Sequence, residues 1–150
     1  MDRTPKVLLA GEGQKLQIRN EIIFVKLAGA ETGGACAVTE SWTPPGGGPP
    51  LHRHTREDES FYVLEGDYEF TIGRQTVHAP AGTFLFGARG IPHSFKNIGA
   101  KQARILALIQ PAGLEKLFEE ASELLCSGKA DPAQMAALSA RYGIEYLPQK

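Results

Sequence analysis

Two glycine-bracketed blocks place three of the chain's four histidines and one glutamate where a barrel of strands would close around a single metal ion. The first runs Gly46, five residues, His52, one residue, His54, four residues, Glu59, six residues, Gly66. The second runs Gly82, five residues, Ala88, one residue, Gly90, two residues, His93, three residues, Asn97. Side chains alternate along an extended strand, so His52 and His54 point to the same side. Glu59 follows across the polar turn Thr55, Arg56, Glu57 and Asp58, where a reversal would return it beside the histidine pair. His93, from a later strand, would complete the set.

Three imidazoles and a carboxylate favour a transition metal over calcium or magnesium, which prefer oxygen ligands. The expected cofactor is one divalent ion among iron, manganese, nickel, cobalt, copper and zinc. A six-coordinate ion held this way keeps two positions free for water, oxygen or a substrate. The fourth histidine, His78, stands in a strand-like segment without a partner and reads as a surface or edge residue.

The two blocks resemble the paired motifs of the cupin superfamily, G(X)5HXH(X)3-4E(X)6G and G(X)5PXG(X)2H(X)3N. The match runs from Gly46 to Asn97 and departs at one position, Ala88, where the family has proline. Proline fixes the backbone without touching a metal, so its replacement is expected to loosen a turn and leave the ligands intact. The resemblance implies an all-β fold, a double-stranded β-helix of the cupin or jelly-roll type. It also implies His52, His54, Glu59 and His93 as metal ligands, and a homodimer formed through edge strands. The segments HTREDESFYVLEGDYEF and GIPHSFKN look most like single-barrel cupins near the quercetin dioxygenases.

A chain of 150 residues is long enough for one compact domain with a core that needs no disulfide. Residues 1–110 are expected to form the barrel, and 111–150 a helical extension packed on it or on a dimer contact. Sixteen basic against 17 acidic residues leave a net charge of −1 and no basic stripe, so nucleic acid is not an expected partner. Apolar runs of about four residues are far short of the roughly 18 that span a bilayer, and the opening MDRTPK lacks the apolar core of a signal peptide. A soluble, cytoplasmic protein is expected, with Cys36 and Cys126 as reduced thiols.

Strand signals punctuated by glycine and proline fill the first 110 residues. They fall at Lys15 to Arg19, Glu21 to Ala28, Ala35 to Thr43, Ser60 to Gly73, Thr83 to Phe86, Pro92 to Lys96 and Gln102 to Gln110. TPPGGGPP, residues 43–50, reads as a rigid loop delivering His52 to the barrel mouth. From Pro111 the period changes: Leu114, Leu117, Phe118, Ala121, Leu124 and Leu125 make one helical stripe. Asp131, Pro132 and Gln134 announce a second helix that ends at Gly143, with Met135, Leu138 and Tyr142 facing one way. Both helices are expected to cover an outer sheet face or a subunit contact, with a substrate lid as the alternative.

In the Ala35 to Thr43 strand the even positions Cys36, Val38, Glu40 and Trp42 form the more apolar face, interrupted by an acid. Glu40 is either a general base pointing into the barrel, its pKa raised by burial, or an edge residue in water. Trp42, Phe61 and Phe95 are candidate substrate-pocket residues, the two phenylalanines because they share parity with Glu59 and His93. For Phe61 to Leu64 parity decides nothing, since all four are apolar. Arg89 is either a contact for an anionic substrate or a solvated turn residue.

Two functional classes fit. In one, the ion catalyses oxygenation or isomerisation of an enol, catechol or dicarbonyl, and in the other the barrel binds a small molecule as a sensor or store. An aromatic-lined pocket with a buried unpaired acid would favour the enzyme.

Overall fold

The computed structural model describes residues 3–148, so Met1 and Asp2 of the opening MDRTPK, and the last two residues, lie outside it. Eleven strands and three helices follow in chain order. They are β1 (Gln14–Ile18), β2 (Glu21–Leu27), α1 (Gly29–Thr32), β3 (Ala37–Thr43), β4 (His52–His54), β5 (Asp58–Glu65), β6 (Asp67–Ile72) and β7 (Gln75–Pro80). Then come β8 (Phe84–Gly87), β9 (His93–Asn97), β10 (Ala103–Gln110), α2 (Leu114–Cys126), α3 (Pro132–Arg141) and β11 (Ile144–Tyr146).

The strands form two antiparallel sheets, ordered β1-β2-β3-β10-β5-β8 and β11-β4-β9-β6-β7. This is the double-stranded β-helix expected of the sequence. The Ser60 to Gly73 signal resolves into two strands, β5 and β6, which lie in different sheets on either side of Gly66. Gly66 has φ 87°, and a Cβ there would stand 2.6 Å from the Ala103 side chain, so only glycine makes this corner without displacing β10.

Alternation settles the parity of β5. Phe61 and Val63 are buried between the sheets, while Tyr62 and Leu64 face outward and are 45% and 36% exposed. Phe61, Val63, Tyr68, Phe70, Leu85 and Ile105 build the core between the sheets at one end of the barrel. At the other end the helices complete it: Leu114, Leu117 and Ala121 of α2 and Leu138 of α3 pack with Ala37, Ile109 and Ile144.

Both C-terminal helices form where the apolar stripe and the capping residues place them. Asp131 accepts from Gln134 N and the Gln134 side chain accepts from Asp131 N, a reciprocal cap. Two buried polar residues on α2 have local duties. Glu115 accepts from the backbone N–H of Gly29 and Gly113, and Ser122 accepts from Gln17 N, so the helix is tied to the β1 edge as well as packed on it.

The sequence pattern did not announce β11. Gly143, in the left-handed region at φ 77°, ends α3 and turns the chain so that Ile144–Tyr146 pairs with β4. Three residues carry too short an alternation to stand out. The helical extension therefore ends in a strand that completes the edge of the sheet holding His52 and His54.

Candidate metal centre

His52 and His54 stand on β4 and His93 directly opposite His52 on β9, so one sheet supplies all three imidazoles. Glu59 comes from β5 in the other sheet. The turn between His54 and Glu59 therefore crosses from sheet to sheet, not back along a hairpin. All four side chains are buried, and their ligand atoms lie within 4.8 Å of one another. Across from Glu59 stands Gly87, where a Cβ would come 3.3 Å from His93 Nδ1; the missing side chain leaves room for that ring.

The outer nitrogens are held by the backbone. His52 Nδ1 lies 2.8 Å from Pro50 O and His93 Nδ1 3.2 Å from Ile91 O. A carbonyl only accepts, so both Nδ1 atoms carry the proton, which leaves both Nε2 atoms, aimed inward, as the ones able to ligate an ion. Inside, His52 Nε2 is 3.1 Å from His54 Nε2, and Glu59 Oε2 is 2.9 Å and 3.0 Å from Nε2 of His54 and His93. Adjacent ligands of an octahedral ion with bonds of about 2.1 Å are separated by about 3 Å. Lone pairs and a carboxylate crowded this closely repel one another unless a cation or protons lie between them, so the donor set fits a transition metal.

Burial opposes charge on His54, yet the Glu57 and Glu59 carboxylates prevail and push it up to about 9. Burial, aided by His93, pushes His52 down to about 4. Burial would raise the Glu59 carboxyl, but His54 and His93 hold it well below the usual range.

Glu57, read from sequence as part of a polar turn, is buried 3.6 Å from His54 Nδ1, and neither that nitrogen nor Glu57 Oε2 has a hydrogen-bond partner among the described residues. It shares parity with Glu59, the one signal that would have marked it. A carboxylate behind a ligating imidazole orients the ring and raises its basicity.

The turn at Ala88 is closed without proline. Ile91 N donates to Ala88 O at 3.0 Å, Gly90 N to His54 O at 2.8 Å and Arg89 N to Asp58 Oδ1 at 2.7 Å. The expected loosening is thus countered by hydrogen bonds. Arg89 is exposed beside Asp58 and does not line the cavity, and His78 is an exposed edge residue paired with Asp67 at 2.8 Å.

The cluster opens into a cavity of about 400 Å³. Phe61 and Phe95 line it, the Phe61 ring 5.6 Å from that of His93. Two expectations are corrected here. On β3 the odd residues Thr39 and Ser41 face the cavity, which puts Glu40 and Trp42 on the outer face of the sheet. Glu40 is buried there, accepting from Trp42 Nε1 at 2.7 Å and Arg104 at 3.0 Å and paired with Lys26 at 3.2 Å. Burial favours a raised pKa, but these donors reverse it and hold the carboxyl below its ordinary value. The even face is apolar because Trp42 packs on Phe24, with ring centroids 5.1 Å apart, outside the barrel.

The helices are the second correction. Leu114, Leu117, Phe118 and Ala121 of α2 and Met135, Ala136 and Ser139 of α3 line the cavity, as does Tyr146 of β11. They wall the chamber and do not merely cover an outer face. Sequence reading also missed an acid in the wall, Glu21 at the start of β2.

The family model of the cupin domain matches residues 42–109, just under half of the chain, from the end of β3 into β10. A quercetin 2,3-dioxygenase of Bacillus subtilis is 27% identical over 76% of this chain and 34% of its own length. An oxalate-binding protein of Thermotoga maritima is 36% identical over 44% of this chain and 54% of its own. The chain thus spans about a third and about half of these relatives. Among solved structures, a predicted oxalate decarboxylase of Thermotoga maritima aligns with TM-score 0.62 and 26% identity, covering 71% of this chain and 99% of that one. KdgF from Halomonas sp. shares the fold at TM-score 0.67 and 13% identity, over 75% and 99% of the two chains. Residues 42–109 thus match the cupin domain, and the fold is one cupin-type barrel with a buried cluster of three histidines and a glutamate typical of cupin metal sites. No helix among the described residues is long and apolar enough to cross a membrane.

Proposed function

We propose that the protein is a metal-dependent oxygenase of a small organic molecule bearing an enol, such as a flavonol or a β-diketone. One observation carries this reading: the His/Glu cluster forms part of the wall of a 400 Å³ chamber whose other walls are mainly apolar and aromatic. Such a chamber suits a ring-bearing molecule and is too large and too apolar for a dianion of a few heavy atoms. His52, His54, Glu59 and His93 would hold the ion. When bound, it would lower the pKa of an enolic hydroxyl and supply the redox chemistry for dioxygen, both of whose atoms enter the product.

The chain's own residues do the rest. Pro50 and Ile91 carbonyls keep the Nε2 atoms of His52 and His93 aimed inward. Phe61, Phe95, Leu117 and Phe118 exclude water and present flat apolar surface to a ring. The half-buried acid Glu21, lining the same chamber with one carboxyl oxygen buried and unpartnered, is a feature of an enzyme more than of a storage site.

The likeness to an oxalate-binding protein supports a second reading, a barrel that binds its ligand without turning it over. Oxygen uptake decides between them. The protein loaded with ferrous, manganous or nickel ion is expected to consume oxygen with at least one of a flavonol, a catechol and an acetylacetone-like diketone. No uptake across the panel, with metal bound, leaves the binding reading.

A further inference from the structure

Glu21 lies one step along the β2–β3 register from the Ile22–Trp42 pair, level with Thr43. Ile23 and its partner Ser41 face the cavity, and Glu21, two residues before Ile23, points to the same side. Thr43 accepts a hydrogen bond from the buried Tyr68 hydroxyl at 3.0 Å. The Tyr68 hydroxyl therefore ends at the same corner as Glu21, whose carboxyl adds to the burial that raises the Tyr68 pKa.

This corner lies away from the histidines. Ala37 is level with Ile109 and, through it, with Glu59, while Thr43 is six residues further along β3, roughly 20 Å of extended strand. Thr39, Ser41, Ile105 and Ala107 line the chamber between the two levels. Glu21 is not part of the metal-ligating cluster.

The carboxyl is poorly served by the protein. Its Oε1 is buried with no hydrogen-bond partner, and no salt bridge reaches it among the described residues. Arg19, the charged residue of the adjoining turn that also lines the cavity, is exposed. The other ionisable groups in the lining are His52, His54, Glu59, His93 and Tyr146. Tyr68 spends its proton on Thr43. Burial without a cation pushes Glu21 up to about 7, a carboxylic acid over much of the neutral range. Buried polar atoms are nearly always satisfied in native proteins, and one left open at a cavity wall is answered by what enters the cavity.

We propose that Glu21 is a second polar anchor of the chamber, exchanging a hydrogen bond with an uncharged hydroxyl or carbonyl on the part of the substrate remote from the His/Glu cluster. Resting on the enol reading above, this narrows the substrate to an uncharged, ring-bearing molecule with oxygen at both ends: a chelating enol at one and a lone hydroxyl or carbonyl at the other.

Two probes test this on the manganese-loaded protein without oxygen: 4′-phenyl-3-hydroxyflavone and its derivative with a hydroxyl at the far end of the added phenyl, which share the enol and differ in the remote hydroxyl. The wild type is expected to bind the hydroxylated probe about tenfold more tightly, a typical return for one satisfied buried hydrogen bond. Glu21→Gln, which still pairs with a hydroxyl, should keep most of that preference. Glu21→Leu should bind the two probes alike, with metal content and circular dichroism as checks on its integrity. A preference that survives in Glu21→Leu, or is missing in the wild type, overturns the anchor alone. Failure of both probes to bind the metal-loaded wild type overturns the enol reading and the anchor together. Independently of any ligand, infrared difference spectra of wild type against Glu21→Gln should show a carboxylic-acid carbonyl band that fades as pH rises through about 7. An ionised Glu21 at pH 6 overturns the proposal.

Discussion

The two faces of the β2–β3 ladder hold one carboxylate each and treat them oppositely. Outside, Glu40 sits among Lys26, Trp42 and Arg104, and its pKa falls. Inside, Glu21 meets apolar wall and a tyrosine already engaged elsewhere, and its pKa rises to about 7. Burial pushes both carboxyls up, so the difference lies in the donors that each face supplies. The outer acid ties strands together, and the inner one is left for a guest.

If the inner face serves binding and the outer face stability, substitutions should separate along that line. The largest effect is expected inside, at the ligands. His54→Ala or His93→Ala should weaken metal binding on the order of a thousandfold while the chain stays folded, because the core lies elsewhere. Full metal occupancy in either variant, measured by elemental analysis, would remove the ligand assignment.

Glu21→Gln should come next, through pH. The folded pKa of Glu21 lies above the ordinary value of 4.5, so its contribution to stability is complete below about pH 4.5 and is lost as pH rises through about 7. The displacement corresponds to at most about 3 kcal/mol. The variant should therefore be more stable than the wild type above pH 7 and show no such advantage at pH 4, as read from urea midpoints. Equal pH dependence in the two proteins would erase the contrast between the faces.

Glu57→Ala should lower metal affinity about tenfold to a hundredfold by freeing the His54 ring, with little change in unfolding midpoint. The smallest effect belongs outside. Glu40→Gln should cost about 1–2 kcal/mol of stability through its weakened ties to Lys26 and Arg104, while metal content and turnover stay unchanged. A turnover loss in Glu40→Gln would reverse the roles assigned to the two acids.

The metal cluster was legible because ligand chemistry imposes spacing: HXH forces two rings to one side, and the second block supplies the third. The fold followed from the same blocks, and the helices from periodicity and caps. The inward acid was hidden because Glu21 opens the segment EIIF, where apolar neighbours on both faces mask the alternation. Glu40 drew notice instead because the even face of β3 looked like a core. Its apolar residues pack on Phe24 outside the barrel, a contact between strands that no local pattern reveals. Glu57 was camouflaged by the charged turn around it, and β11 by its brevity.

Tyr146, Glu145 and Ile144 hydrogen-bond along the strand that bears His52 and His54, and Thr55 N donates to Gly143 O at 2.9 Å. The histidine ladder is thus braced from outside by a segment about ninety positions downstream. A protein trimmed after Tyr142 would keep every ligand yet bare the flank of the strand that carries two of them. Such a truncation would hold its ion loosely and exchange it fast, a fault that no inspection of the four ligands would explain.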